Sequence, residues 1–186
     1  KIGPRINAAG RMETGRIAVE LLTAKDAKTA IRIGTEINEH NNERKNIDRR
    51  ITQEAHEMVE SGNCLSSGKA TIVYNPLWHK GVVGIVASRL VEAFYKPTIV
   101  FTQSQGGLVT GSARSVHGFD LYDAIESCAD LLENFGGHLY AAGLTLKEEN
   151  LPAFCERIEK SISGTIIPEM QTPVVDVDAR LNFSQI

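Results

Sequence analysis

What the chain lacks narrows its class first. No apolar run in its 186 residues approaches the ~18 needed to span a bilayer, so neither a membrane span nor a signal peptide is expected within it. Its cysteines, Cys64, Cys128 and Cys155, are odd in number and show no paired metal-ligand spacing. They read as reduced core thiols, which sets the expectation of a cytoplasmic protein. Neither sign of charge dominates: 20 Lys and Arg stand against 23 Asp and Glu, a net charge of −3. That balance argues against a broad electrostatic grip on nucleic acid and leaves room only for a local groove lined by a few arginines. There is no internal repeat, no low-complexity tract and no Walker pattern. With 42% hydrophobic and 23% charged residues, the chain has the composition of an ordinary globular protein with one good core. It begins at Lys1 without an initiator methionine and stops after Ile186, so it reads as a piece of a larger protein.

The most distinctive stretch present is Asn134-Phe135-Gly136-Gly137-His138-Leu139-Tyr140-Ala141-Ala142-Gly143. Gly136 and Gly137 permit positive φ and leave main-chain N–H groups uncovered, the ingredients of a concave anion-binding loop. His138 beside them can donate or accept a proton near neutral pH. Ala141, Ala142 and Gly143 bring no bulk, so a ligand or a second element can approach the backbone. The plainer alternative is a tight turn with the histidine satisfied in the core.

Residues 1–16 carry Arg5, Arg11, Arg16, Asn7 and small residues, and read as a polar loop able to contact phosphates; the alternative is a merely solvated loop. A short helix is expected over 17–22. Asp26 then caps a long one over 28–60, roughly 50 Å at 1.5 Å per residue. Ile33, Ile37, Ile47, Ile51 and Met58 mark its apolar face, interrupted by His40, Asn41 and Arg44, so it reads as a strut whose polar middle crosses an opening. After the boundary at 61–68, a strand over 70–74 leads through a loop containing His79, Lys80 and Gly81 into a helix over 82–94. The glycines Gly81 and Gly84 at its start allow close packing or exposed donors. A strand over 98–101, a polar turn and a strand over 108–115 form a hairpin. Period-two alternation sets Thr110, Ser112 and Arg114 on one face, with Val109, Gly111 and Ala113 on the other. A guanidinium fork beside a hydroxyl suits a terminal phosphate, the small neighbours clearing space; the alternative is an edge strand with a solvated arginine. Asp120 caps a helix running from Leu121 past Leu132 toward the Gly-Gly-His loop. A strand over 141–147, a helix over 151–162, a linker over 164–173 and a new strand over 174–181 complete the chain.

Together these stretches resemble the RecJ branch of the DHH phosphoesterase superfamily. The residues that carry the resemblance are Gly3-Pro4-Arg5-Ile6-Asn7-Ala8-Ala9-Gly10-Arg11, His79-Lys80-Gly81-Val82-Val83-Gly84-Ile85-Val86-Ala87-Ser88-Arg89, Gly111-Ser112-Ala113-Arg114-Ser115, and Gly136-Gly137-His138 through Gly143. The resemblance implies an α/β fold, a mixed sheet flanked by helices (a DHH-associated domain) preceded by a long connector helix. On that map residues 1–16 are the tail of a DHH catalytic domain, 17–65 the connector, 66–166 the DHH-associated domain, and 167–186 a linker and the start of an OB-fold. It implies the substrate-binding part of a 5′-to-3′ single-stranded-DNA exonuclease of recombination and repair, using Mn2+ or Mg2+ held by a domain outside this chain. Its partner would be single-stranded DNA with a 5′-phosphate, with no membrane involved. By the same resemblance His138 faces the scissile phosphate with Gly136 and Gly137, Ser112 and Arg114 bind the 5′-phosphate, and Asn7, Arg11 and His79 lie near the DNA path. The Asp-His-His motif is absent, the aspartates are scattered, and the five histidines form no ligand pattern with them, so the fragment alone is expected to hold no metal and to be inactive. Two other readings are a non-catalytic nucleic-acid-binding module and a phosphodiesterase acting on short oligonucleotides or dinucleotides.

Overall fold

A five-stranded mixed sheet organises the computed structural model, which describes residues 2–175 and 177–182. β1 (Thr71–Tyr74) and β2 (Thr98–Gln103) are parallel, joined by the crossover helix α4 (Val83–Phe94). β3 (Leu108–Arg114) returns antiparallel to β2, as the hairpin pattern predicts. β5 (Ala141–Lys147) pairs with β3, and β4 (Asn134–His138) forms the outer edge beside β5, giving the order β1-β2-β3-β5-β4. The expected α/β architecture, a mixed sheet flanked by helices and preceded by a long helix, is the one observed.

The two faces of the sheet are treated differently. The back face carries Ile72, Ile99, Phe101, Val109, Ala113, Leu144 and Leu146, which pack with α5 (Leu121–Glu126) and α6 (Leu151–Thr165). Phe101 and Phe154 meet edge to face, with centroids 5.8 Å apart. Gly111 belongs to this face: an added Cβ would run into the Phe101 ring, so its missing side chain serves the core rather than a ligand. On the front face, Val73 and Val100 are covered by Val83, Val86 and Leu90 of α4 and by Ile51 and Ala55 of the long helix. That cover ends at β3, and the fronts of β5 and β4 lie bare.

Three helices precede the sheet: α1 (Gly3–Met12), α2 (Arg16–Leu22) and α3 (Ala27–Glu60). The polar loop expected over residues 1–16 is mostly helix. Pro4 sits in the first turn, where a missing N–H costs nothing, and Ala9 packs with Ile33 and Ile37 of α3. Asp26 caps α3 as predicted, accepting from the Thr29 N–H (2.9 Å) and hydroxyl (2.8 Å). The Thr29 backbone bond, then its hydroxyl, hold the Asp26 carboxyl below its ordinary range. The polar middle of α3 does not cross an opening. Asn41 and Asp48 are 3% and 2% exposed, and Asp48 accepts from Arg89 of α4 at 2.8 Å.

Other expectations are corrected in detail. The helix after Asp120 stops at Glu126, and 129–131 is a 3-10 turn, because Cys128 is drawn fully into the core while Leu131 and Leu132 only flank it. The Gly-Gly-His stretch is strand, not loop. In place of the strand expected over 174–181, the described residues 174, 175 and 177–181 are irregular and exposed, with no partner strand to accept them; Asp176 lies outside the described residues.

Glu159 of α6 fastens the start of β1, its carboxylate accepting the N–H groups of Lys69 (2.7 Å) and Ala70 (3.2 Å). Glu159→Ala strands both donors in a half-buried position, a loss of about 1–2 kcal/mol. For a chain of this size that corresponds to a melting temperature lower by about 2–8 °C in calorimetry. Glu159→Gln, which keeps an acceptor, should lose less; an unchanged melt for the alanine variant would remove Glu159 from this role.

Candidate functional site

Where the cover of α4 ends, its N-terminal turn meets β3. Gly84, the second residue of α4, is so close to that strand that an added Cβ would stand 2.9 Å from Ser112 Oγ and 3.0 Å from an Arg114 terminal nitrogen. No side chain caps α4 and no acidic residue occupies its first turn, so its positive end faces these groups unneutralised. The period-two prediction holds: Thr110, Ser112 and Arg114 are half-buried on the front while Val109, Gly111 and Ala113 are buried behind.

Arg114 Nη1 donates to Ser112 Oγ (3.1 Å) and to the Ala113 carbonyl (2.7 Å), which fixes the guanidinium over the front face. Among the described residues no carboxylate pairs with it. Burial, and then the charge of nearby Arg11, push the Arg114 guanidinium below its ordinary pKa. Two cations thus share one corner without an anion.

Arg11 reaches this corner from α1. Its Nη1 donates to the Gly81 carbonyl at 3.2 Å, and Gly81 lies so tightly on the Arg11 backbone carbonyl that no Cβ fits there. His79 shapes the same turn: its Nδ1 accepts the Gly81 N–H at 3.1 Å, leaving Nε2 to carry the proton of the neutral ring. Trp78 anchors the turn to α3, its indole N–H donating to Glu54 at 2.7 Å. Asn7 lies one turn before Arg11 on α1 and lines a cleft with it, apart from Ser112 and Arg114.

The strand register assembles the rest. Ser112 stands opposite Gly143, which stands opposite Gly136; Arg114 stands opposite Ala141, which stands opposite His138. Paired residues share a face. Ser112, Gly143 and Gly136 therefore make one row on the bare front, and Arg114, Ala141 and His138 the next. Nothing comes within 4 Å of a Cβ added at Gly136 or Gly143. The result is a flat glycine floor, walled by Ser112, Arg114 and α4 and edged by exposed His138. At ~4.8 Å per strand, Arg114 and His138 are about 10 Å apart at Cα, a span that lets them flank a ligand lying between them.

This corrects the expectation of a Gly-Gly donor loop. Gly136 and Gly137 are paired in the ladder, and Gly137 faces the other way: a Cβ there would strike the Ala141 carbonyl and Ala142. Gly143 and Gly84 complete the site; their small size is visible in the sequence, but which neighbours they serve depends on register. Among the described residues no three His, Cys, Asp or Glu side chains are grouped to hold a metal ion.

The DHHA1 domain matches residues 67–164. The chain belongs to this family. The chain is 41% identical over 179 residues to the single-stranded-DNA-specific exonuclease RecJ of Bacillus subtilis, covering 96% of the chain and 22% of that protein. It is 35% identical over 193 residues to the Escherichia coli RecJ, covering all of the chain and 33% of that protein. The crystal structure of Thermus thermophilus RecJ in complex with Mg2+ superposes with a TM-score of 0.79 at 32% identity, covering 89% of this chain and 25% of that one. A structure of exonuclease RecJ bound to manganese gives 0.75 at 32% identity, covering 87% and 40%. The chain thus spans between 22% and 40% of the length of these proteins. No helix among the described residues is long and apolar enough to cross a membrane.

The two glycines of β4 separate site from scaffold. Gly136→Ala meets open space and relieves a strand glycine, so its stability should match the parent or exceed it by up to about 1 kcal/mol. Gly137→Ala forces the β4–β5 ladder apart and should melt clearly lower. Equal melts for the two variants in a thermal scan would contradict the register.

Proposed function

We propose that this DHHA1 domain and its preceding helices are the substrate-binding part of a 5′-to-3′ single-stranded-DNA exonuclease, and that the front corner of the sheet holds the 5′-terminal phosphate. The observation that carries the reading is Arg114: a half-buried guanidinium without a carboxylate partner among the described residues, oriented by Ser112 beside the open positive end of α4. A terminal phosphate carries more charge than an internal diester, and a fork plus a hydroxyl plus helix N–H groups match its oxygens. The similarity to RecJ supplies the strand as substrate.

From that corner the strand runs across Gly143 and Gly136, where backbone replaces side chains, toward His138. There His138 stabilises charge on the scissile phosphate or protonates the leaving oxygen. Residues 1–16 then belong to the tail of a catalytic domain, 17–65 to a connector, 66–166 to the phosphate-reading domain and 167–186 to a linker and the start of a further fold. Mn2+ or Mg2+, which activates water in such hydrolyses, belongs to carboxylates of the longer protein. Recombination and repair in the cytoplasm are the setting this activity fits.

Arg114→Ala should weaken binding of 5′-phosphorylated single strands about ten- to a hundred-fold, from a lost contact of about 1.5–3 kcal/mol, and leave 5′-hydroxyl strands nearly unchanged. Fluorescence anisotropy with the two oligonucleotides reads this directly. Equal weakening of both would make Arg114 a general backbone contact.

In the longer enzyme, His138→Ala should lower kcat by about 10²–10⁴-fold with DNA affinity kept. Collapse of affinity with kcat preserved would make His138 a binding or packing residue.

A further inference from the structure

The Leu139-Tyr140 turn is the part of the Gly-Gly-His stretch that the phosphate corner leaves unused. It closes β4 onto β5, since β4 ends at His138 and β5 begins at Ala141. The Tyr140 ring lies nearly parallel to the His117 ring, with centroids 6.3 Å apart and planes 15° from each other. That is an offset stack. Stacking hides neither ring: Tyr140 is 42% exposed, and His117 is exposed as well. The pair is therefore no part of the core.

The pair is nevertheless held firmly. The Tyr140 carbonyl accepts the Ser115 N–H at 3.0 Å, and the Leu139 carbonyl accepts the Leu121 N–H at 3.1 Å. The Tyr140 hydroxyl accepts the Gly118 N–H at 3.4 Å, where Gly118 takes a φ of +83°. Ser115 Oγ closes the same loop on the Phe119 carbonyl at 2.8 Å. An aromatic surface fixed before binding loses little freedom when a ligand stacks on it. The ladder also sets its place. His117 follows Arg114 by three residues, and Tyr140 directly precedes Ala141, which stands between Arg114 and His138. The rings thus stand at the end of the row that runs from Arg114 to His138.

We propose that Tyr140, backed by His117, is a stacking platform for the base of the 5′-terminal nucleotide. The proposal rests on the single-strand reading above and deepens it. A nucleoside whose 5′-phosphate is at Arg114 and whose 3′-phosphate is at His138 lies over Ala141, one residue from the Tyr140 ring. Its base is the planar π-surface that such a platform takes, and stacking tolerates every base because each has a π-face. The glycine floor offers that base no ring of its own. Charge thereby holds the phosphates and aromatic area holds the base, through separate residues.

The test uses the 186-residue chain and 5′-phosphorylated oligothymidylates labelled at the 3′ end, read by fluorescence anisotropy. One strand is intact, one has an abasic tetrahydrofuran residue in first position, and one has it in fourth. The parent chain should bind the first-position abasic strand about tenfold more weakly and the fourth-position strand as well as the intact one. Tyr140→Leu, which keeps apolar bulk without the ring, should lose about tenfold on the intact strand and nothing further on the first-position abasic one. Tyr140→Phe, which keeps the ring and drops the hydroxyl, should bind like the parent, and His117→Ala should lose less than Tyr140→Leu. Thermal melts identify any variant that is merely unfolded, and the parent's response to the three strands then decides alone. Equal binding of the intact and first-position abasic strands by the parent would overturn the platform. So would a greater loss at the fourth position, equal loss by Tyr140→Leu on both strands, or a loss by Tyr140→Phe as large as that of Tyr140→Leu. A 5′-hydroxyl strand keeps the two readings apart. If the parent binds it as well as the phosphorylated strand yet still weakens at a first-position abasic residue, the terminal-phosphate reading falls and the platform stands.

Discussion

The alternation of β3 is the constraint on which the rest of this molecule turns. A strand interior to a sheet has two faces and no way to give one residue to both. Here Val109, Gly111 and Ala113 are committed to the core, Gly111 so fully that the Phe101 ring occupies the space of its side chain. The intervening Thr110, Ser112 and Arg114 are thereby released from packing. Once α4 covers β1 and β2 and stops, those three residues form the boundary between covered and bare sheet. The site needs no separate loop to hold it: its rigidity is that of the ladder, in which Ser112 and Arg114 are bonded on both sides.

Electrostatics sets the second level of organisation. The chain as a whole is slightly acidic, yet Arg11, Arg44, Arg89 and Arg114 gather along the junction of α1, α3, α4 and β3, with Asp48 as the buried counter-charge. A single carboxylate, 2% exposed, is too little to neutralise all four, and for the half-buried Arg44 and Arg114 charge without full compensation costs more than at the surface, where Arg11 and Arg89 lie. The arrangement suits recognition of an anion better than stability of the free chain. With a net charge of −3 over the whole chain, the field of this cluster is short-ranged and local, screened beyond about 10 Å at moderate salt, rather than spread over the surface.

How much of this was legible in the sequence follows from the range of each interaction. Ser112 and Arg114 on one face follow from the period of a strand, and the Asp26 cap from local hydrogen bonding, so both could be read directly. The crossover helix and the hairpin carried their own turn signals. The N-terminal helix was hidden because Gly3, Pro4 and Gly10 punctuate it like a loop, and tertiary contacts such as that of Ala9 with Ile33 and Ile37 stabilise it. Gly136 and Gly137 looked like a turn because glycine has little preference for strand; pairing with β5 decides the matter, and register then gives the two neighbours opposite duties. Arg44 interrupts an apolar stripe, which marks it as unusual, but its partner Arg89 through Asp48 lies on another helix and has no local signature.

The clasp between Lys69, Ala70 and Glu159 has a consequence for how the chain is made. The two ends of that contact are 90 residues apart, and Lys69 also reaches the Ile166 carbonyl, 97 residues on. At about 5–20 residues per second of synthesis, the first strand emerges roughly 5–20 s before the helix that seals it exists. Through that interval β1 carries open main-chain amides and an apolar face without its final cover. Slowing translation after residue 74 would lengthen that exposure.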